Sequence, residues 1–180
     1  MEGPCEWTLS IHQDNYYPAD SGHLTVNGEG AGEGTNLNIP LPPGSGHGAY
    51  LHAFDEVIAP ALERYKPELI IISSGFDGNA VDPLGRMMAC SDTYRIMTAK
   101  LKKLASTLCD GRLLGLHEGG YSTAYVPYCG LAVLEELAGL RTAIDDPFLS
   151  IITGMGGQRL QPHQAELIQQ AAQLVKLIPA

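Results

Sequence analysis

The sequence is short of several things at once. Its 180 residues include only four cysteines, Cys5, Cys90, Cys109 and Cys129, with no Cys-x-x-Cys pair among them. That spacing argues against a disulfide scaffold or a thiolate zinc site and suits a reducing compartment. Basic residues are scarce, 11 Lys and Arg against 20 Asp and Glu, for a net charge of −9. Such a chain offers nothing to a nucleic-acid backbone or an anionic lipid surface, so neither is expected as a partner. A substrate selected by charge would be a cation. No apolar run approaches the ~20 residues of a membrane span. No cationic segment leads into an apolar one as a secretory signal would, so the expected location is cytoplasmic. Internal repeats and low-complexity tracts are absent as well.

What is present suits one folded domain: 44% hydrophobic and 17% charged residues, at a length that buries about 70% of the extended chain's surface. Glu6–His12 alternates in part, with Trp7, Leu9 and Ile11 against polar neighbours, and predicts a strand. Gln13 to Gly48 is rich in Gly, Pro, Asn and Asp and reads mostly as loop, with Asn36–Leu41 a short extended segment inside it. Its Glu-Gly-Ala-Gly-Glu-Gly run, residues 29–34, is not a phosphate cradle: no Lys follows and two acids would repel phosphate. Ala49–Tyr65 places Tyr50, Phe54, Val57, Ile58, Ala61, Leu62 and Tyr65 at helical steps, with Pro60 expected to bend the helix and Pro67 to end it. Leu69–Ser73 reads as a parallel strand buried on both faces. A helix capped by Ser91 carries Tyr94, Met97, Leu101, Leu104 and Leu108 inward. Arg112–His117 is a second short strand. A helix near Pro127, a loop over Asp145–Gly157 and a last helix over Pro162–Ile178 follow. Strand, helix and strand in this order predict an α/β fold with a mostly parallel central sheet.

Both internal strands run into glycines and then a polar residue: Gly75-Phe76-Asp77 after the first, Gly119-Gly120-Tyr121 after the second. Parallel strands bring such exits to one rim, where ligands of open parallel sheets gather. A carboxylate there can hold a metal, and a phenol can donate to a developing oxyanion. Asp77 can equally well cap a turn. A catalytic zinc needs about three protein ligands, and the histidines do not supply the others. His12 has no partner at four-residue spacing, His47 and His52 are five apart, and His23, His117 and His163 are isolated.

Several segments, in order, resemble one family. They are Ser10-Ile11-His12-Gln13, Tyr17-Pro18, the stretch 36–46, Ser74-Gly75-Phe76-Asp77, Asp82-Pro83-Leu84 and Glu118-Gly119-Gly120-Tyr121. Together they resemble the zinc deacetylases of the arginase/deacetylase fold, in particular the bacterial class II histone-deacetylase-like amidohydrolases, kin to the acetylpolyamine amidohydrolases. The resemblance runs from about Leu9 to the C-terminus. It implies a three-layer α/β fold with the site at the strand carboxyl ends. It implies that Asp77 is a zinc ligand and that Tyr121 polarises the acetyl carbonyl. It makes Tyr17 a wall of the tunnel for an acetyl-lysine stem, Leu84 its apolar rim, and Gly119 and Gly120 its lining beside Tyr121. Ser10 and the carbonyl of Ile11 match positions that help hold a structural potassium ion.

The chain departs from that pattern in one large respect. The family's paired catalytic histidines and Asp-x-His ligands lie upstream of the strand matched by Leu9–His12, and this sequence has neither a His-His pair nor an Asp-x-His. Residues 1–180 are therefore expected to be the C-terminal portion of one catalytic domain whose N-terminal half is supplied elsewhere or missing. Three readings stand together: part of a zinc-dependent deacetylase acting on acetyl-lysine-like or acetylpolyamine amides and inactive alone; a non-catalytic fragment; or a module that binds a partner through the loop Gln13–Gly48. Oligomer formation is open in each.

Overall fold

The computed structural model describes residues 6–179, so Cys5 lies outside the described residues. The fold is α/β, with four strands in two parallel pairs. β1 (Thr8–Gln13) pairs with β2 (Asn36–Leu41), from Thr8 opposite Asn36 to Gln13 opposite Leu41. β3 (Ile70–Ser74) pairs with β4 (Leu113–His117), from Ile70 opposite Leu113 to Ser74 opposite His117. The strands are parallel, as expected, but among the described residues they form two sheets rather than one. Ile11, His12 and Gln13 of β1 and Ile72, Ser73 and Ser74 of β3 line a common cavity, so space rather than a ladder joins the pairs.

The strand buried on both faces is β2, not the Leu69–Ser73 segment. Leu37, Asn38, Ile39 and Leu41 are all buried. Helix α6 (Pro162–Leu174) packs against β2. The irregular stretch after β1 is tied to β2 by the Asn38 amide, which donates to the carbonyls of His23 (3.1 Å) and Val26 (3.2 Å). Asn36 Nδ2 also donates to Val26, at 2.6 Å. Two asparagine side chains thus hold down a loop with little apolar packing of its own. β3 and β4 carry helices on one face only. Ile70, Ile72 and Leu113 point into the main core, whereas Ile71, Leu114 and Leu116 are 54%, 48% and 44% exposed.

The first long helix is three joined pieces: α1 (His47–Ala53), a π turn over Phe54–Ile58, and α2 (Ala59–Tyr65). Pro60 lacks an N–H and its ring crowds the preceding turn, and the wider π turn just before it relieves both. Lys66 closes the helix in the left-handed region at φ 53°.

α3 (Ser91–Leu108) is capped by Cys90, not Ser91, with Cys90 N–H donating to Thr93 Oγ1 at 3.1 Å. Ser91 is instead the first helical residue. Its hydroxyl donates to Asp146 Oδ2 (2.5 Å) and its N–H to Tyr125 Oη (3.0 Å), because Tyr125 and Asp146 converge on it. α4 (Val126–Ala138) packs along α3 and begins with Pro127 in its first turn.

The 145–157 stretch, expected as loop, contains a five-residue helix α5 (Leu149–Thr153). Ile152 anchors it in a second cluster with Phe76, Cys90, Tyr125, Cys129 and Val133. One turn of helix is too short to show a periodicity in sequence. The last helix ends at Leu174 and tightens into a 3₁₀ turn, Val175–Leu177, before the buried Ile178.

α3 and α4 are also joined by a buried ion pair. Glu135 is only 3% exposed, with Arg95 Nη1 2.7 Å from its Oε2, and its Oε1 accepts from Thr142 N–H (2.7 Å) and Oγ1 (2.6 Å). The Thr142 hydrogen bonds, then Arg95, lower its carboxyl from 4.5 to about 2. A carboxyl lowered by folding binds its proton more readily in the unfolded chain. Its stabilising effect is therefore complete above about pH 4.5 and disappears as pH falls towards about 2. In thermal melts taken across that window, Glu135→Gln should lower stability at pH 6 and show a shallower acid decline than the unsubstituted chain. Parallel declines would remove Glu135 from the acid response.

Candidate functional site

The in-register pairing of β3 with β4 decides where the two exits lie. Ser74 sits opposite His117, so the next residues of both strands leave together. The pairing continues past the strand ends: Glu118 N–H donates to Ser74 O (3.1 Å) and Phe76 N–H to Gly119 O (2.7 Å). Asp77 and Tyr121 thereby line the same cavity, of about 870 Å³, together with Tyr16, Tyr17, Tyr50 and Leu84.

Glycine is required where the exits touch. A Cβ on Gly119 would stand 2.7 Å from Asp77 Oδ2. At Gly120, φ is +135° and a Cβ would stand 2.9 Å from Phe76 Cβ, so a side chain is opposed by both backbone and space. These two residues do not line the cavity themselves; they let the Asp77 carboxylate and the Tyr121 backbone approach.

Asp77 is exposed to solvent. Desolvation raises its pKa, the N–H groups of Asp77 and Gly78 partly offset this, and the Asp82 charge adds to the rise. Two further phenols stand close by. A Cβ on Gly78 would lie 2.8 Å from Tyr50 Oη and 3.3 Å from Tyr94 Oη. Burial raises both phenol pKa values, and the Asp77 charge adds to each. Both therefore remain protonated donors beside a carboxylate. Sequence periodicity assigned Tyr50 and Tyr94 to helix faces, and nothing in their spacing showed that their hydroxyls reach the cavity.

Asp82 is the residue that the sequence reading undervalued. It belongs to the Asp-Pro-Leu-Gly turn, and its Oδ1 accepts from Leu84 and Gly85 N–H, each at 2.9 Å. Its other oxygen accepts from the N–H of Tyr121 at 2.7 Å. One carboxylate thus fixes the loop carrying Leu84 and the loop carrying Tyr121. The Tyr121 side chain is 54% exposed and Tyr17 89% exposed. Tyr16 Oη donates to the Leu84 carbonyl, and the Arg86 guanidinium lies 5.9 Å from the Tyr16 ring. The mouth is therefore aromatic and apolar, with Asp77 lining the same cavity.

Ser10 and Ile11 sit on β1, and of the two only Ile11 lines the cavity. Ser10 Oγ is 2.8 Å from His12 Nδ1, and His12 Nε2 is 3.0 Å from Gly22 O. A carbonyl only accepts, so Nε2 carries the proton, and in the neutral ring Nδ1 accepts from Ser10. Ile11 lines the cavity while sitting opposite Ile39 in the β1–β2 ladder. His47 Nδ1 pairs with Thr93 Oγ1 at 3.0 Å.

The residues present do not amount to a zinc site. Among the described residues no three His, Cys, Asp or Glu side chains cluster closely enough to hold an ion. Asp77 supplies one carboxylate, and neither His12 nor His47 joins it. Among the same residues no helix is long and apolar enough to cross a membrane.

Comparison with known proteins agrees with this arrangement. The family model for the histone deacetylase domain matches residues 5–137. A histone deacetylase-like amidohydrolase of Pseudomonas aeruginosa is 52% identical over 145 residues, which are 81% of this chain and 38% of that protein. A probable deacetylase of Archaeoglobus fulgidus is 38% identical over 141 residues, covering 77% of this chain and 39% of that one. The solved structure of the histone deacetylase Clr3 superimposes on 94% of this chain with a TM-score of 0.78 at 28% identity, using 27% of that chain. The chain thus spans under two fifths of the length of these curated relatives. With a domain match over most of its length and the strand exits arranged as above, it belongs to the histone deacetylase family.

Proposed function

We propose that this chain is the C-terminal portion of a zinc-dependent deacetylase that hydrolyses acetyl-lysine-like or acetylpolyamine amides, and that it is inactive alone. The observation that carries the reading is the delivery of Asp77 and Tyr121 into one cavity by adjacent parallel strands. The cytoplasm is its proposed location.

Each of the site residues named above has a definite part in such a reaction. Tyr121 donates a hydrogen bond to the amide oxygen as that oxygen gains negative charge, which is worth most in a site shielded from water. Asp82 holds the Tyr121 backbone, so the phenol is positioned before substrate arrives. Tyr17 and Leu84 flank an entrance suited to an extended, largely apolar stem, and Gly119 and Gly120 admit the close approach beneath it. Asp77 would contribute one ligand of a zinc site, whose metal would polarise the amide and its attacking water. The remaining ligands and the base that deprotonates the attacking water come from outside this chain, and a general base is typically worth about 10²–10⁴ in rate. Ser10 and the Ile11 carbonyl are the proposed contribution to a potassium site. A non-catalytic fragment, or a module binding through the loop 13–48, is the alternative.

The deciding experiment mixes the full chain with the segment of the Pseudomonas relative that lies upstream of the matched stretch, and assays an acetyl-lysine reporter with zinc supplied. Neither piece alone should turn over substrate and the mixture should. An inactive mixture whose pieces demonstrably bind one another would refute the deacetylase reading. In the reconstituted enzyme, Tyr121→Phe should lower kcat by about 10²–10³ with KM little changed; equal turnover would take the oxyanion role from Tyr121. Gly119→Ala pushes a methyl group against the Asp77 carboxylate and should lower both bound zinc, measured by elemental analysis, and activity. Full zinc content in that variant would separate Asp77 from the metal.

A further inference from the structure

Among the described residues the two strand pairs share no ladder, yet the loops that leave them are joined by side chains. We infer that Tyr16 is a positioning residue for Tyr121, acting through the Leu84–Gly85 peptide and the Asp82 carboxylate. The loop after β1 then governs how the phenol at the exit of β4 is held. The inference deepens the reading proposed above and rests on it for the role of Tyr121.

The contacts form an unbroken line. Tyr16 Oη donates to the Leu84 carbonyl. That carbonyl and the Gly85 N–H belong to one peptide unit, which is planar and turns as one body. The Gly85 N–H donates to Asp82 Oδ1 at 2.9 Å, and the other oxygen of the same carboxylate accepts from the Tyr121 N–H at 2.7 Å. Two rigid groups, a peptide and a carboxylate, thus stand between Tyr16 and Tyr121, with a hydrogen bond at each junction. Freeing the carbonyl end lets the peptide tilt, and the tilt draws its N–H off Asp82.

Little else fixes these groups. Tyr16, Leu84 and Tyr121 are all exposed, so apolar packing does not set their places. Gly85 has no side chain and no room for one: a Cβ there would stand 2.0 Å from the Asp77 carbonyl oxygen. The peptide that Tyr16 grips is therefore pressed against the backbone of the other exit.

Tyr16 is itself steadied from the β1 side. The Arg86 guanidinium lies 5.9 Å from its ring, and the Arg86 N–H donates at 2.9 Å to Oε1 of Gln13, the last residue of β1. The amides of Leu84, Gly85 and Arg86 all donate to side chains, the first two to Asp82 and the third to Gln13. A fully paired network of this kind responds as a unit when one member is lost.

The test is residue-resolved hydrogen exchange on the full chain, which needs no activity. Loss of one hydrogen bond corresponds to about a two- to tenfold shift in a local opening equilibrium. Tyr16→Phe keeps the ring beneath Arg86 and removes only the hydroxyl. It should speed exchange by that factor at both Gly85 and Tyr121, with exchange in β2 and the melting temperature as in the unsubstituted chain. Val26→Ala, on the same loop, should move neither amide. Faster exchange at Gly85 alone would overturn the inference, because Tyr16 would then steady its own contact and nothing beyond it. Faster exchange throughout β2 as well would also overturn it, as general loosening. Asp82→Asn replaces one accepting oxygen with a donor. In that background Tyr16→Phe should add nothing at Tyr121, and an undiminished effect would refute the route through Asp82. In the reconstituted enzyme, Tyr16→Phe should lower kcat about two- to tenfold with KM little changed. A change in KM alone would place Tyr16 at substrate entry instead. A mixture that fails to deacetylate, while exchange at Tyr121 still follows Tyr16, would refute the function proposed above and uphold the line of contacts.

Discussion

The parallel register of β3 on β4 is the constraint on which the site depends. Because Ser74 and His117 are opposite, two exits separated by over forty residues of chain begin side by side. The hydrogen bonds from Glu118 to Ser74 and from Phe76 to Gly119 extend that alignment to the glycines. A shift of one residue would reverse the face of every side chain in the strand and carry Tyr121 away from Asp77. The rest of the neighbourhood reinforces the register. Phe76 packs against Tyr94 and the His117 ring, at 5.2 and 5.4 Å between centroids, which ties the first exit to both α3 and β4.

Asp82 adds a second restraint of a different kind. Strand pairing sets where the loops start but not how they end. By accepting from Leu84, Gly85 and Tyr121, one carboxylate closes its own turn and fastens it to the neighbouring exit. Hydrogen bonds to a charged acceptor contribute about 1.5–3 kcal/mol each, enough to hold short loops that have little apolar packing. Its charge also adds to the raised pKa of Asp77, so the restraint that orders the mouth also acts on that carboxylate.

Much of this was legible in the sequence. The runs 70–74 and 113–117 announce strands through their apolar residues, and the glycines after them announce turns. Given two parallel strands, a shared rim follows from geometry. The ordered motifs around Ser10, Asp77, Asp82 and Tyr121 carried the family. What stayed hidden depends on contacts distant in sequence. That Cys90 rather than Ser91 caps α3 turns on Tyr125 and Asp146, 34 and 55 residues beyond Ser91. That Asp82 reaches Tyr121 spans 39 residues. That Tyr50 and Tyr94 meet at Gly78 cannot be seen from two helical repeats read separately. Helix α5 was missed because five residues hold no period.

The exchange of roles between β2 and β3 follows from how burial is read. An unbroken apolar run such as 69–72 signals a strand designed for cover on both faces, whereas Asn-Leu-Asn-Ile-Pro-Leu in β2 looks half polar. Yet β2 is the buried one, because its asparagine amides spend their hydrogen bonds on the loop that covers them. β3 and β4 retain a composition that this chain's own helices satisfy on one side only. Covering a leucine fully is worth about 1.5–3 kcal/mol, so three half-exposed apolar residues forgo several kilocalories that a second layer would recover. The mismatch between an apolar composition and a bare face is thus local, readable at Ile71, Leu114 and Leu116.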